Sequence, residues 1–109
     1  MDKTICPRFE KAMRILSQRW TGMIIYQLMS GPHRFCTLES AIGLSGKVLS
    51  ERLKDLENEG IVQRDVYAET PVRIEYSLTD KGLAFEPIMR SIEDWSQYWL
   101  EVEAEVEVS

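Results

Sequence analysis

The chain has 109 residues, 44% of them apolar, and its 18 acids against 13 bases leave a formal charge of −5. That is one domain's length, of a size that buries about two-thirds of the surface its unfolded chain exposes, so a partner subunit is expected to add to a modest core. The longest uncharged stretch, Trp20 to His33, is broken by Gly22, Gly31 and Pro32 and falls short of the roughly 18 to 20 residues of a membrane span; with no secretory signal and two cysteines, too few for a disulfide framework, the expected compartment is the reducing cytoplasm.

From Pro7, the residues Phe9, Met13, Leu16 and Trp20 recur by four, three and four, and proline suits a first helical turn, so a helix is predicted over 7–17. Residues 20–30 are apolar nearly all round, the mark of a buried central helix, and Ser30-Gly31-Pro32 closes it. Thr37 is expected to cap a short helix carrying Leu38, Ala41 and Ile42, and Ser45 to cap a second carrying Val48, Leu49, Leu53 and Leu56. The pair makes a helix-turn-helix over 37–58. Past Gly60 the period changes to two, and the runs 61–67 and 72–78 flank the turn Ala68-Glu69-Thr70-Pro71, giving a β-hairpin over 61–78. In its second strand Val72, Ile74, Tyr76 and Leu78 share one face, and Arg73 and Glu75 the other. Thr79 caps a last helix over 79–101 whose residues Phe85, Ile88, Ile92, Trp95, Trp99 and Val102 form a heptad seam, which Pro87 should kink or split near its start. The acidic tail, 102–109, alternates Glu and Val and is expected to be a solvated end.

This order predicts an α+β, mainly helical fold: one winged helix-turn-helix domain with a β-hairpin wing and terminal dimerisation helices. Net acidity does not oppose DNA binding, because residues 1–67 carry +2, residues 68–100 carry −3 and residues 101–109 carry −4. Lys47, Ser50, Glu51 and Lys54 share the face of the second helix opposite its leucines, and Ser45, Gly46 and Lys47 offer amides at its start. Arg73 sits near the wing tip, and Arg34 and Arg64 near the edges of the same unit. The DNA-binding residues expected are therefore Ser45, Gly46, Lys47, Ser50, Lys54, Arg73 and Arg34, an ordinary solvated face being the alternative. The seam Phe85, Ile88, Ile92, Trp95 and Trp99, with Phe9, is expected at a dimer interface; the alternative is an intramolecular core stripe. Trp95, Tyr98 and Trp99 also suit the wall of a ligand cavity, though core or interface is the commoner role of such a stripe.

Other chemistry finds little support. Gly43-Leu44-Ser45-Gly46-Lys47-Val48 has the wrong glycine spacing for a phosphate-binding loop, and Val48 stands where a magnesium-binding hydroxyl belongs. A lone His33 assembles no catalytic set, and one histidine with two distant cysteines makes no structural zinc site. No enzyme activity, cofactor or metal is expected.

Seven ordered blocks carry a family resemblance: Cys6-Pro7, Arg19-Trp20, Gly31-Pro32-His33-Arg34-Phe35, Leu49-Ser50-Glu51-Arg52-Leu53-Lys54-Asp55-Leu56, Gly60-Ile61-Val62, Thr70-Pro71-Val72 and Tyr76-Ser77-Leu78-Thr79. Together they resemble the HxlR-type transcriptional regulators, from Cys6 to about Trp99. The resemblance implies a dimeric bacterial winged helix protein, related to the MarR class, that binds double-stranded DNA at a pseudo-palindromic operator and dimerises through its terminal helices. A protein-interaction module on the same scaffold, with the acidic C-terminal third as its contact surface, is the competing reading.

Cys6 stands at the cap of the first helix with Lys3, Arg8 and Lys11 close in sequence, and the helix dipole and these cations both favour thiolate. The chain is similar to the quinone- and thiol-stress-sensing branch of the family, in which a cysteine just ahead of the first helix is the sensor; the matching residue is Cys6. An oxidant or electrophile is then the expected inducer, and the regulator a repressor that it releases. Members of that branch often carry a further cysteine near the C-terminus, where this chain has none. Cys36 is either a resolving partner or a small buried hydrophobe.

Overall fold

Helix α1 (Pro7–Ser17) opens on a proline, whose missing N–H is not needed in a first turn, and ends at Gln18. In the computed structural model, which describes residues 5–102, it is followed by α2 (Thr21–Leu28), α3 (Phe35–Ile42), α4 (Gly46–Asn58), β1 (Val62–Tyr67), β2 (Arg73–Leu78), α5 (Asp80–Leu83) and α6 (Glu86–Trp99). Lys3 and all of the acidic tail beyond Val102 lie outside the described residues.

The core gathers the apolar faces of the middle of the chain. Ile24, Ile25 and Leu28 of α2 meet Leu38 of α3, Leu49, Leu53 and Leu56 of α4, Ile61 and Val62 at the start of the hairpin, and Met89 of α6. The predicted all-round burial of α2 is corrected by its exposed Met23 and Tyr26, which face an open groove toward α6. The turn into α2 puts Trp20 in left-handed backbone at φ 78°, outside the helix, with the Arg19 guanidinium 4.6 Å from the centre of its ring.

Helix α3 starts earlier than its threonine suggests. His33 and Tyr76 exchange backbone hydrogen bonds of 2.9 and 2.8 Å, and this short bridge holds the chain extended up to Arg34. The helix begins directly after it, so Arg34 takes the cap position, without a side-chain cap bond, and Thr37 lies inside the first turn. Ser45 does cap α4, its Oγ accepting the Val48 N–H at 3.3 Å. At the other end Gly60 adopts φ 75°, which lets the Ile61 amide donate to the Leu56 carbonyl at 2.9 Å and sends the chain straight into β1.

The hairpin is antiparallel with Val62 opposite Leu78 and Tyr67 opposite Arg73. Val72, expected in the strand, precedes it and is exposed. Thr79 caps α5 by accepting the Gly82 amide at 3.2 Å. Gly82 is buried so close to the hairpin that a β-carbon there would run into the Ile61 carbonyl oxygen. The terminal helix expected over 79–101, with a kink or split near Pro87, is split just ahead of that proline: α5 stops at Leu83, and α6 starts with Pro87 in its first turn, where proline is tolerated.

Candidate nucleic-acid interface and thiol site

Helix α4 packs Leu49, Leu53 and Leu56 inward, and that phase leaves Lys47, Ser50 and Lys54 exposed along its outer side. None of the ion pairs among the described residues engages Lys47 or Lys54, so both ammonium groups remain available to an anion. Gly46 stands against α3, where a β-carbon would crowd the Glu39 carboxylate. Arg52, on the flank, donates to the Arg19 carbonyl at 3.2 Å and pairs with Asp55 at 3.5 Å, tying α4 to the α1–α2 turn. Sequence reasoning missed this tie, because nothing local distinguishes Arg52 from the cations beside it.

Arg73, expected to meet DNA from near the wing tip, is not a free cation. Arg73 is half-buried and bonded to two carboxylates, Glu69 at 2.8 Å and Glu75 at 2.6 Å, over the ring of Tyr67. These bonds raise the arginine above its ordinary value and hold the Glu69 carboxyl below the usual carboxylate range. Arg34 is exposed at the cap of α3 and its charge lowers Glu69 further, so the fold brings Arg34 and Arg73 to one acidic residue. Glu69 carries no sequence signal of this role; it needs the hairpin register that puts Tyr67 opposite Arg73. His33 is structural: its Nδ1 lies 2.7 Å from the Gly31 carbonyl oxygen, which can only accept, so that nitrogen carries the proton.

Cys6 is exposed at the open N-terminus of α1. The backbone amides of Phe9 and Arg8 hold its thiol below the ordinary value, although the sulfur makes no regular cap bond. The expected help from the Arg8 and Lys11 side chains is corrected: the amides account for the lowering. Cys36, in the first turn of α3, is exposed and free, which overturns the buried-hydrophobe alternative; the inward positions of that helix go to Phe35 and Leu38.

The heptad seam divides into two stripes on α6. Phe85 and Met89 turn into the protomer, and Phe85, expected at a dimer interface, is packed against the core. Ile88, Ile92, Trp95 and Trp99 are 45 to 66% exposed, which removes the intramolecular-core alternative for these four. Helix α1 has no buried residue and exposes Phe9 and Met13. Tyr26 of α2 donates to Glu93 of α6 at 2.8 Å, the carboxylate holding the phenol above its ordinary range, and below this bond lies an apolar groove of about 620 Å³ lined by Leu16, Trp20, Met23 and Ile92. No cluster of metal-ligating side chains occurs among the described residues, and no helix there is long and apolar enough to cross a membrane.

A helix pair with a capped outer helix, a hairpin packed beside it and a long terminal helix define a winged helix-turn-helix regulator. The chain belongs to the HxlR-like helix-turn-helix family, whose model matches residues 15–104; these are DNA-binding transcriptional regulators and not enzymes. It is 59% identical over 98 residues to the HTH-type transcriptional regulator YvaP of Bacillus subtilis, covering 89% of this chain and 91% of that protein. Among solved structures, the reduced form of the transcriptional regulator YodB from B. subtilis is 41% identical, covers 93% of this chain and all of its own, and superposes with a TM-score of 0.80. The quinone-bound form of YodB is 38% identical, covers 87% of this chain and all of its own, and gives 0.76.

Proposed function

We propose that this regulator is a cytoplasmic homodimeric repressor of a pseudo-palindromic operator, released when an oxidant or electrophile modifies Cys6. The observation that carries the reading is the Cys6 thiol, exposed and lowered by the first-turn amides of a helix with no fully buried residue. The existence of a quinone-bound form of YodB supports the same chemistry here. Addition of the thiolate to a quinone forms a carbon–sulfur bond, and the ring takes up a proton to become the hydroquinone thioether, so no further oxidant is needed. Helices α1 and α6 form the subunit contact through Phe9, Ile88, Ile92, Trp95 and Trp99. Ser45, Gly46, Lys47, Ser50 and Lys54 of α4 enter the major groove, and Arg34 and Arg73 approach the sugar–phosphate backbone. An adduct at Cys6 shifts one α4 against the other across the dimer, and every hydrogen-bonded base pairing broken at the two half-sites weakens the complex by roughly 1 to 3 kcal/mol.

The test is Cys6→Ser. The variant is expected to bind the operator like the parent and to stay bound in benzoquinone or diamide; a variant released like the parent removes Cys6 from the mechanism and leaves a regulator without this sensor. Because the thiol is lowered, its thiolate persists to lower pH than that of an ordinary cysteine. Its rate of alkylation by iodoacetamide is therefore expected to level off at lower pH than that of N-acetylcysteine, with Cys36→Ser as the background.

A further inference from the structure

The wing presents less free positive charge than its arginine implies. Arg73 donates through Nε and Nη2 to both oxygens of Glu69, at 3.3 and 2.8 Å, and through Nη1 to Glu75 at 2.6 Å. Its guanidinium lies 4.0 Å from the centre of the Tyr67 ring, the residue opposite it in the hairpin. The fork that meets Glu69 is the same pair of donors by which an arginine grips a phosphate.

The two carboxylates are not equivalent. Glu75 belongs to β2, is fixed by the strand register and is only 23% exposed. Glu69 lies in the turn outside both strands and is 51% exposed, so water and a ligand reach it. The antiparallel His33–Tyr76 bridge runs Arg34 past β2 on the side toward Glu75, near enough for its charge to act on Glu69. Glu69 therefore sits on the Arg73 fork, within the field of Arg34, where an anion of the ligand would sit.

We infer that Glu69 occupies the place of a DNA phosphate on the Arg73 fork and so limits the wing's hold on DNA. Docking exchanges the turn carboxylate for a phosphate, while Glu75 and Tyr67 keep the guanidinium in position. The expelled carboxylate is left beside the DNA backbone, where like charge opposes binding, so Glu69 sets how tightly the wing closes. The inference rests on the wing meeting DNA as proposed above.

The experiment is a double-mutant cycle on the full chain. A duplex is first selected from a random pool by the parent protein, and its affinity is then measured by fluorescence anisotropy for the parent, Glu69→Gln, Arg73→Gln and the double variant. Glu69→Gln is expected to bind roughly threefold to tenfold more tightly than the parent. With Arg73→Gln beneath it, the same change is expected to add less than about twofold, because the fork is gone. Arg73→Lys, which keeps the charge without the fork, is expected to abolish the gain as well; it guards against a wing that has lost its shape. An equal gain with and without Arg73 overturns the inference in favour of plain charge repulsion, and weaker binding by Glu69→Gln overturns it in favour of a carboxylate that helps position the arginine. If Arg73→Gln binds like the parent, the arginine does not touch DNA and the inference fails, while the selected duplex still shows that the protein binds DNA.

Discussion

Helices α4 and α6 are 13 and 14 residues long, and they turn their apolar faces in opposite directions. In α4 the leucines at 49, 53 and 56 are buried in the protomer and the cations face outward; in α6 only Met89 is buried, and Ile88, Ile92, Trp95 and Trp99 face water. A helix satisfied inside its own protomer can offer a polar face to a polar ligand. A helix with isoleucines and tryptophans left in water has the marks of a contact surface. Under the proposed function, helix phase alone would separate a helix that reads DNA from one that pairs subunits.

The contrast is open to attack at four points. Leu53→Ala deletes side-chain volume at a site 1% exposed and is expected to cost about 2–5 kcal/mol in urea unfolding; a loss below about 1 kcal/mol would mean that α4 is not anchored by its leucines. Trp95→Ala acts on the other helix. It should leave the circular dichroism of the protomer in place and weaken self-association by about 2 kcal/mol, or roughly thirtyfold in dissociation constant, in sedimentation equilibrium. Unchanged self-association would move the subunit contact elsewhere. Ser45→Ala removes the cap that holds the Val48 amide and is expected to cost about 1 kcal/mol of stability at a fixed protein concentration, with the dimer intact. Smallest in stability is Lys47→Gln, which should leave unfolding unchanged and lower the log–log salt slope of DNA affinity by about 0.9; an unaltered slope places that ammonium off the phosphates.

Much of this contrast is legible in the chain because helix phase is written in apolar spacing. The leucines of α4, the cap at Ser45 and the outward stripe of α6 follow from residues three and four apart. What depended on strand register or on a distant neighbour was not legible. Thr37 reads as a cap until the His33–Tyr76 bridge fixes where extended backbone ends. Phe85 fits the heptad by count, yet the break between α5 and α6 turns it toward the core. Arg73 reads as a free cation, since its bond to Glu75 needs only the strand, but the closure by Glu69 needs the turn to fold back over Tyr67. Cys36 shows the same limit on a smaller scale: its composition favours burial, and the phase set by Leu38 decides for exposure.

The bond from Tyr26 to Glu93 also has a mechanical meaning. It lies one turn beyond Met89, and from there to Trp99 helix α6 buries no residue in its own protomer. The stretch from Glu93 to Trp99 is about 9 Å long at 1.5 Å per residue, so a tilt of about 8° at its base would carry the tip through about 1.3 Å. A small angular change at that base would become a translation at the tip, where the proposed subunit contact lies, so α6 has the proportions of a lever based at the edge of the core.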